Sequence, residues 1–561
     1  LWKYGENVDI SATIGEKPPT YNVAVLNGLD SLGIPYDIDE NDISPVDSLI
    51  SQPIDLTQVP VNKRNTVFMS FFWQANGFGE IPDLNDSLSL SFLDADSNWV
   101  SQNINPGSIR NNALTGGPDI LRFSPVNPEE QIFTQTILQV EAEFFHENFR
   151  FKFQSFGSSQ GPFDSWLIDY IYINFDRDRF DLNHDDRAIS KGLDINFAGY
   201  QAIPFDHFFN NELIEDQSFN FTLSSLDRFV QPVKYSVEVF DADSGTKLVT
   251  VDDAINVDPL LSGGEIRNFI SSTVDPDDVI IDDDTTNLRL KLFLDSDDDE
   301  FVPNASTYFS FRANDTVYTD LKLERYYAYD DGSAEFTAGV NVSGSQLVVK
   351  YGIISRDTLT HIDINFPVLF PDSERQRLRV LVMRDLTDDP GSTLIRQSII
   401  VPQRVTSNEF TRIKLLEQYV LEDSIFIGIE QSSSTYVPIG LDKNTQNGSK
   451  IFFKLGDNWE RNNAVEGSLM IRPVFGEPFA PTETTELTEA RFEVYPNPTN
   501  GILNIVGDFD EFTIVDLTGK SVAYYPTDND HIIDVNHLDS GLYLVRFRKN
   551  DVFTTRRFIK H

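Results

Sequence analysis

The chain has 561 residues, of which 40% are hydrophobic and 24% charged, a composition typical of a globular protein. About three to five domains are expected, because a single hydrophobic core does not extend over a chain of this length. The 88 acidic residues outnumber the 44 basic ones, so the formal net charge of −44 repels phosphates and excludes nucleic acid as a partner. The lack of cysteine excludes disulfides, thiolate metal sites and cysteine nucleophiles.

Short runs with an apolar residue at every second position dominate the sequence. The clearest runs lie at 233–239, 288–294 and 378–382. A period of two over short runs, interrupted by Gly, Asp, Asn and Pro, predicts half-buried antiparallel strands. No long helical period is present. The sequence therefore predicts an all-β fold built of tandem β-sandwiches, of the jelly-roll and immunoglobulin-like kinds.

Residues 1–205 are predicted to form the first domain. The segment 66–79 (TVFMSFFWQANGFG) and the run 149–153 place aromatic side chains at alternating positions, and 164–170 adds a strand with a tryptophan. Together these segments resemble the jelly-roll modules of the MAM and laminin-G-like group. The resemblance implies a sandwich with a polar rim at one edge where calcium or another ligand is held.

Three further segments follow. Residues 206–324 are predicted to be an immunoglobulin-like domain with a hairpin turn at 243–245. Residues 325–475 are predicted to be a second jelly-roll domain, and they resemble a module found beside secretion signals. Residues 476–490, rich in Pro, Thr and Glu, are predicted to be a linker.

The last segment, 491–561, carries the most specific motif. Residues 492–501 read FEVYPNPTNG, in which Pro stops strand pairing while Asn and Gly tolerate a left-handed turn. Strand and turn motifs follow at 512–520 and 538–545, and the segment ends on the basic strand RRFIKH. Their order and spacing resemble type A sorting domains of the type IX secretion system of Bacteroidota. The resemblance assigns the sorting signal to Tyr495, Pro496, Asn497, Pro498, Gly501, Asp516, Gly519, Gly541, Tyr543, Arg557 and Lys560.

This resemblance implies an extracellular, cell-surface protein associated with the outer membrane. Its partners would be the secretion translocon, an outer-membrane shuttle barrel and a sortase. We expect an adhesin-like, non-catalytic cargo, because the seven histidines fall in no recognisable catalytic motif. A polysaccharide-binding module with glycans as partners, a retained accessory of the secretion or gliding machinery, and a two-carboxylate glycoside hydrolase stay open as alternatives.

Calcium is the candidate cofactor. Alternate oxygen ligands on a tight loop can converge on one hard cation. Two such sets occur in the sequence, Asp295, Asp297 and Asp299 at the end of a strand and Asp181, Asn183 and Asp185 in a loop. A weaker acidic group lies at 330–335. Neither of the two sets has the downstream Glu of an EF-hand, so an acidic turn without an ion is the alternative for both.

Bacteroidota also attach O-glycans at motifs that resemble Asp-Ser/Thr followed by a small or aliphatic residue. This pattern predicts attachment at Ser31, Ser48, Ser87, Thr316, Thr358 and Ser424. A motif of three residues is weak, and chance in a chain rich in Asp accounts for several of these matches.

Overall fold

In a computed structural model of the protein, the chain divides into two compact units, Leu1–Glu477 and Pro478–His561. Each unit is described by itself. The structure describes residues 8–30, 33–36, 43–83, 86–102, 133–161, 164–195, 199–209, 218–274, 286–296, 311–367, 375–387, 389, 391–402, 409–476, 493–506, 511–516, 520–526, 531–549 and 552–561.

The first unit begins with a sandwich of nine strands. These are β1 Asp9–Ser11, β2 Val23–Leu26, β3 Ser44–Ile50, β4 Phe68–Ala75, β5 Ser87–Leu93, β6 Trp99–Ser101, β7 Thr134–Gln139, β8 Phe151–Gly157 and β9 Trp166–Asn174. One sheet has the strand order β1-β2-β9-β4-β7 and the other β3-β8-β5-β6, with antiparallel pairing throughout.

The predicted aromatic residues fill the core of this sandwich. Phe71 and Phe153 come from opposite sheets and meet edge to face with their ring centroids 4.8 Å apart. Phe92 makes the same kind of contact with Phe144 and Phe149 at 5.2 and 5.1 Å. Edge-to-face pairs add about 0.5–1.5 kcal/mol each beyond the area that they bury. The aromatic runs therefore stabilise the packing of the two sheets.

The second sandwich contains the strands β10 Arg187–Ile195, β11 Phe219–Ser225, β12 Lys234–Asp241, β13 Lys247–Asn256, β14 Ile266–Ile270, β15 Thr286–Asp295 and β16 Thr316–Leu323. Its sheets have the orders β10-β11-β14 and β13-β12-β15-β16. Strand β10 lies within the segment 1–205 assigned to the first domain, but it pairs with β11 and so belongs to the second sandwich. Periodicity alone identifies a strand but not the sheet in which it pairs.

The third sandwich contains β17 Phe336–Ala338, β18 Gln346–Tyr351, β19 Asp357–Asn365, β20 Arg377–Met383, β21 Thr393–Ile400, β22 Phe410–Leu421, β23 Ile425–Gln431, β24 Ile439–Asp442, β25 Ile451–Lys454, β26 Glu460–Arg461, β27 Ser468–Leu469 and β28 Ile471–Phe475. A six-stranded sheet, β21-β20-β23-β18-β25-β26, accompanies two smaller ones, β17-β24-β27 and β22-β19-β28. One continuous hydrophobic core runs from the second sandwich into the third.

Three tyrosines join the second and third sandwiches. The ring of Tyr329 stacks on Tyr200 at 4.6 Å and on Tyr351 at 4.8 Å, with interplanar angles of 21° and 22°. The Tyr200 hydroxyl also accepts the Gly352 N–H and donates to the Gly352 carbonyl, both at 2.8 Å. Beside this stack, Ala202 and Ala328 form an antiparallel bridge. We call the three rings the tyrosine stack.

Helices are short in the residues that the structure describes. The α-helix α1 spans Phe205–Phe209, and the 3-10 turns span Leu56–Gln58, Val61–Thr66, Ala142–Phe144, Phe311–Asn314 and Gly448–Lys450. Among these, none has the length and apolar character needed to cross a membrane.

The second unit is a smaller sandwich. Its strands are β29 Glu493–Tyr495, β30 Ile502–Val506, β31 Glu511–Val515, β32 Ser521–Pro526, β33 His531–Asp534, β34 Gly541–Lys549 and β35 Val552–Lys560. The sheets β29-β30-β33 and β32-β31-β34-β35 share one apolar core, to which Leu503, Phe512 and Phe558 contribute. The predicted linker, apart from Gly476, lies outside the described residues.

The predicted all-β fold is confirmed. In β12 the side chains of Tyr235, Val237 and Val239 are buried between more exposed neighbours, and the leucines at 288–294 and the apolar residues at 378–382 are likewise buried. The period of two therefore identified the core-facing positions of these strands.

Gly428 tests the packing of the six-stranded sheet. A Cβ added at this residue of β23 would lie 1.9 Å from the carbonyl oxygen of Leu347 on β18. We expect Gly428→Ala to lower the free energy of unfolding by about 1–3 kcal/mol or more, because the two strands must separate. Gly456→Ala is the control, since its Cβ meets nothing within 4 Å. Urea denaturation that shows equal stability for both variants would contradict the packing described.

Candidate functional site

The start and the end of the C-terminal unit are joined by one asparagine. Asn497 donates from Nδ2 to the carbonyl of Arg557 at 3.0 Å and accepts the Ile559 N–H on Oδ1 at 2.9 Å. Thr499 continues this pairing, donating its N–H to the Ile559 carbonyl at 2.8 Å and accepting the His561 N–H at 2.9 Å. We call these four hydrogen bonds the Asn497 bracket. The bracket covers the edge of β35 that would otherwise be unpaired.

Two neighbouring positions hold the turn that carries the bracket. The Thr499 hydroxyl, which is buried, donates to the Ile502 carbonyl at 2.5 Å and accepts the Gly501 N–H at 3.2 Å. A Cβ at Gly501 would lie 2.1 Å from Oδ1 of Asn536, so a larger residue at this position would require the Asn536 side chain to move. Thr499 was not predicted as a site residue, although it stands in the same motif.

Other predicted sorting residues lie on β34, on β35 and at the turn after β31. Tyr543 stacks on Phe558 at 5.6 Å, and its hydroxyl donates to the Asp539 carbonyl at 3.0 Å. Gly541 is paired in register with Lys560. Asp516 follows β31 and accepts the Lys520 N–H at 3.0 Å. Gly519 lies outside the described residues. The structure thus brings Asn497, Gly541, Tyr543, Arg557 and Lys560 onto β35 and its two neighbours.

Charge is segregated within this unit. The β34–β35 hairpin carries six basic residues and one acidic residue, whereas residues 491–540 carry two basic and nine acidic residues. Arg557 lies on an exposed position of β35. The hairpin is therefore a basic surface in a strongly acidic chain, and such a surface favours an acidic partner.

An acidic cluster lies at one rim of the first sandwich. The N–H of Asp83 is shared by Oδ2 of Asp86 at 2.5 Å and Oδ1 of Asp164 at 3.3 Å. Burial, and then the neighbouring Asp164, raise the pKa of Asp86 to about 7. Burial, followed by Asp164 and Asp83, also raises the pKa of Glu80. Asp86 and Glu80 therefore hold their protons at pH values where an isolated carboxyl is ionised.

A second acidic cluster lies in the third sandwich. Asp442 is fully buried and accepts the backbone N–H groups of Asp331 and Asn444 at 2.8 and 2.6 Å. The Asn444 amide donates to Asp331 and Glu335, both at 3.2 Å. Burial, followed by the charges of Asp331 and Glu335, raises the pKa of Asp442 to about 9. The sequence indicated the group at 330–335 but not Asp442, which is 111 residues from Asp331.

The predicted calcium ligands are placed as follows. Asp181 is paired with Arg177 at 2.6 Å, Asp185 is paired with Arg187 at 2.8 Å, and Asn183 is exposed between them. Asp295 ends β15, whereas Asp297 and Asp299 lie outside the described residues. Across the described part of the chain, no three His, Asp or Glu side chains are placed to hold one metal ion. Calcium binding at these residues stays a prediction.

The predicted glycosylation sites differ in exposure. Ser87 on β5 is 3% exposed and Thr358 on β19 is 9% exposed. Ser48 on β3 and Thr316 on β16 are half-buried, and Ser424 is half-buried in the turn between β22 and β23. Ser31 lies outside the described residues.

The acidic rim generates a prediction about pH. Because the pKa of Asp86 in the folded protein is about 7, above the ordinary 3.8, the unfolded chain binds fewer protons between about pH 4 and 7. The free energy of unfolding therefore falls as pH rises through this window. We expect Asp164→Asn to make the fall of Tm between pH 5 and 8 shallower, because it removes one neighbouring charge while burial remains. Asparagine also tolerates the φ of +66° at this position.

Asp96→Asn is the control for this measurement. It removes the same charge from an exposed turn away from the rim. Equal slopes of Tm against pH for Asp164→Asn and Asp96→Asn would contradict the coupling between Asp164 and Asp86.

The solved structures that match the chain have low TM-scores and low sequence identity. A GH2 β-galacturonidase from Eisenbergiella tayi bound to galacturonate has a TM-score of 0.21 at 8% identity, over 60% of this chain and 46% of that one. A β-glucuronidase from Bacteroides uniformis has a TM-score of 0.20 at 10% identity, over 60% and 35%. The chain thus spans less than half the length of both. A tandem CBM22 domain from Paenibacillus barcinonensis has a TM-score of 0.17 at 9% identity, over 81% and 92%. Similarity this low carries no argument about activity or ligand.

Comparison with curated proteins gives no match. A family model described as a secretion system C-terminal sorting domain matches residues 493–561. This range begins at β29 and ends with β35, so it covers the sandwich that the Asn497 bracket closes. Residues 493–561 are therefore a type IX secretion sorting domain, and the protein is an exported cargo of that system.

Proposed function

We propose that the chain is a non-catalytic cell-surface protein whose sorting domain is bound, in its folded form, by the outer-membrane translocon and shuttle barrel of the type IX system. The observation that carries this proposal is the Asn497 bracket, which joins the sorting motif at 495–501 to the terminal strand β35. A partner that contacts the basic β34–β35 hairpin would contact both ends of the sorting domain together. The partner surface that fits this hairpin is acidic.

The geometry of the histidines supports a non-catalytic role. His207 contacts a carboxylate, with Nε2 3.2 Å from Oδ2 of Asp357. Its Nδ1 lies 2.6 Å from the Tyr327 hydroxyl, and the side chain is 2% exposed. His184 is 4% exposed, and burial lowers its pKa to about 4. A general base must reach its substrate, and these two rings are enclosed by protein.

The carboxylates at the rim also argue against glycoside hydrolysis. Asp86 and Asp164 share a single N–H donor, whereas paired carboxyls of glycosidases are about 5–9.5 Å apart. Asp169 is turned elsewhere, accepting the N–H and the hydroxyl of Thr20, both at 2.8 Å. Asp164 precedes β9 and Asp169 lies within it, so they do not form a pair either.

Export tests this proposal. In cells that carry a type IX system, deletion of 493–561 is expected to leave the protein in the periplasm and to abolish its co-purification with an outer-membrane barrel. Asn497→Ala is expected to reduce export several-fold, because it removes two of the hydrogen bonds that hold the edge of β35. The fractions in medium, outer membrane and periplasm are measured by immunoblot.

His537→Ala is the control, since this residue is exposed in the turn before β34 and lies outside the sorting motifs. Unchanged export of the deletion variant would contradict the sorting role. If the deletion variant is not exported but Asn497→Ala is exported normally, the sorting role stands and only the role of the Asn497 bracket is contradicted.

Glycosylation of the exported protein gives a separate prediction. Among the six candidate residues, Ser424 lies in a turn, where an attached sugar would project without opening a sheet, whereas Ser87 and Thr358 are buried on strands. We therefore expect the intact mass of the protein from native cells to exceed that of the bare chain, and Ser424→Ala to reduce the excess. A native mass equal to that of the bare chain would refute modification at every candidate.

A further inference from the structure

A cleft opens where the three sandwiches of the first unit meet. Its volume is about 530 Å³, within the range of about 300–1,000 Å³ typical of small-molecule sites. The first sandwich contributes Thr13 and Tyr21, the second contributes residues of β10 and β16, and the third contributes the segment around Asp330. The hydroxyls of Thr13 and Ser333 are 3.3 Å apart and join the first wall to the third.

The cations that line the cleft are already paired. Nζ of Lys191 lies 2.9 Å from Asp194, and Arg472 forms an ion pair with the buried Asp330. Asp331 adds a further carboxylate to the lining, whereas Asp320, which also lines the cleft, is paired with Arg289 at 2.6 Å. The cleft is therefore net acidic, so an anionic ligand would be repelled.

Three half-buried polar side chains of the cleft form no hydrogen bond within the described residues, namely Tyr21, Gln201 and Thr319. Tyr21 and Thr319 lie on the same wall of the cleft, on either side of Gly192. A Cβ placed on Gly192 would lie 2.9 Å from the ring of Tyr21 and 3.1 Å from Oγ1 of Thr319. Gln201 is held by its backbone, whose N–H donates to the Ala328 carbonyl at 2.8 Å. Each of these side chains can both donate and accept a hydrogen bond.

Aromatic rings form part of the cleft lining. The guanidinium of Arg472 lies 4.8 Å from the ring centroid of Tyr326 and 3.9 Å from that of Phe410. Arg472 is 8% exposed, whereas both rings are half-buried and line the cleft. Apolar rings beside a few convergent polar groups are the usual composition of a site for a small organic ligand.

We propose that this cleft binds a neutral oligosaccharide. The hydroxyls of a sugar both donate and accept, and so match Tyr21, Gln201 and Thr319, while its C–H faces pack on Tyr326 and Phe410. An extended peptide is disfavoured, because the edge strands that line the cleft, β10 and β16, pack against one another. This site lies entirely in the first unit and goes beyond the proposed export function.

Calorimetric titration of the purified full chain tests the site. The probes are cellotetraose, maltotetraose, mannotetraose, xylotetraose and chitotetraose, with tetragalacturonate as the anionic comparison. We expect at least one neutral tetrasaccharide to bind and tetragalacturonate not to bind. The variants Tyr21→Phe, Gln201→Leu and Thr319→Val keep the side-chain shape while removing hydrogen-bonding groups. Each is expected to weaken binding about 2- to 10-fold, as the loss of one net hydrogen bond would.

Tyr318→Phe is the matched control, because Tyr318 neighbours Thr319 on β16 and is 54% exposed on the opposite face of the strand. It is expected to bind as the unaltered chain does. Failure of all five neutral probes to bind would overturn the proposal, and so would tighter binding of tetragalacturonate. Binding of a neutral tetrasaccharide by all three cleft variants as tightly as by the unaltered chain would also overturn it. So would binding of an unstructured peptide library that is lost in these variants. None of these outcomes bears on export, which depends on residues 493–561.

Discussion

The arrangement of the first unit depends on the tyrosine stack. A chain without cysteine has no disulfide bond between sandwiches, so their relative placement rests on the connecting backbone and on buried contacts. Tyr200, Tyr329 and Tyr351 supply two nearly parallel ring contacts at this junction. Aromatic pairs contribute about 0.5–1.5 kcal/mol each beyond burial, and the Tyr200 hydroxyl adds two hydrogen bonds to Gly352. The cleft lies beside the stack because Gln201 and Asp330, which line it, are the sequence neighbours of Tyr200 and Tyr329.

Hydrogen bonds across the other junction place the first sandwich against the second. The hydroxyls of Ser190 and Ser224 donate to the carbonyls of Pro18 and Pro19 at 2.6 and 2.5 Å, and all of these groups lie within protein. Since a proline lacks an N–H but keeps its carbonyl, the two prolines serve as acceptors without requiring a strand partner. Tyr21 lies two residues after this Pro-Pro pair. The segment 18–21 therefore anchors the sandwich and brings a hydroxyl to the cleft at the same time.

Local chemistry decided which parts of the protein could be predicted from the sequence. The period of two identified the buried faces of β12 and β15, because one side of each strand packs on a core, whereas β20 also buries Leu381 and Met383 on its other side. The turn residues of 495–501 identified the sorting domain, because Pro, Asn and Gly have narrow backbone preferences. The cleft was not predictable, since Tyr21, Gln201 and Thr319 are each more than 100 residues from the next along the chain. The 111 residues between Asp331 and Asp442 likewise concealed the place of Asp442, and the period of two in β10 did not indicate the sheet to which this strand belongs.

The Asn497 bracket has a consequence for the integrity of the cargo. Its partners are Arg557, Ile559 and His561, so the small sandwich closes only on a chain that has been translated through this strand. A product shortened by a premature stop or by proteolysis would lack these partners and leave β34 as an open edge. Under the proposed binding of the folded sorting domain, export would therefore select full-length copies and leave incomplete copies in the periplasm.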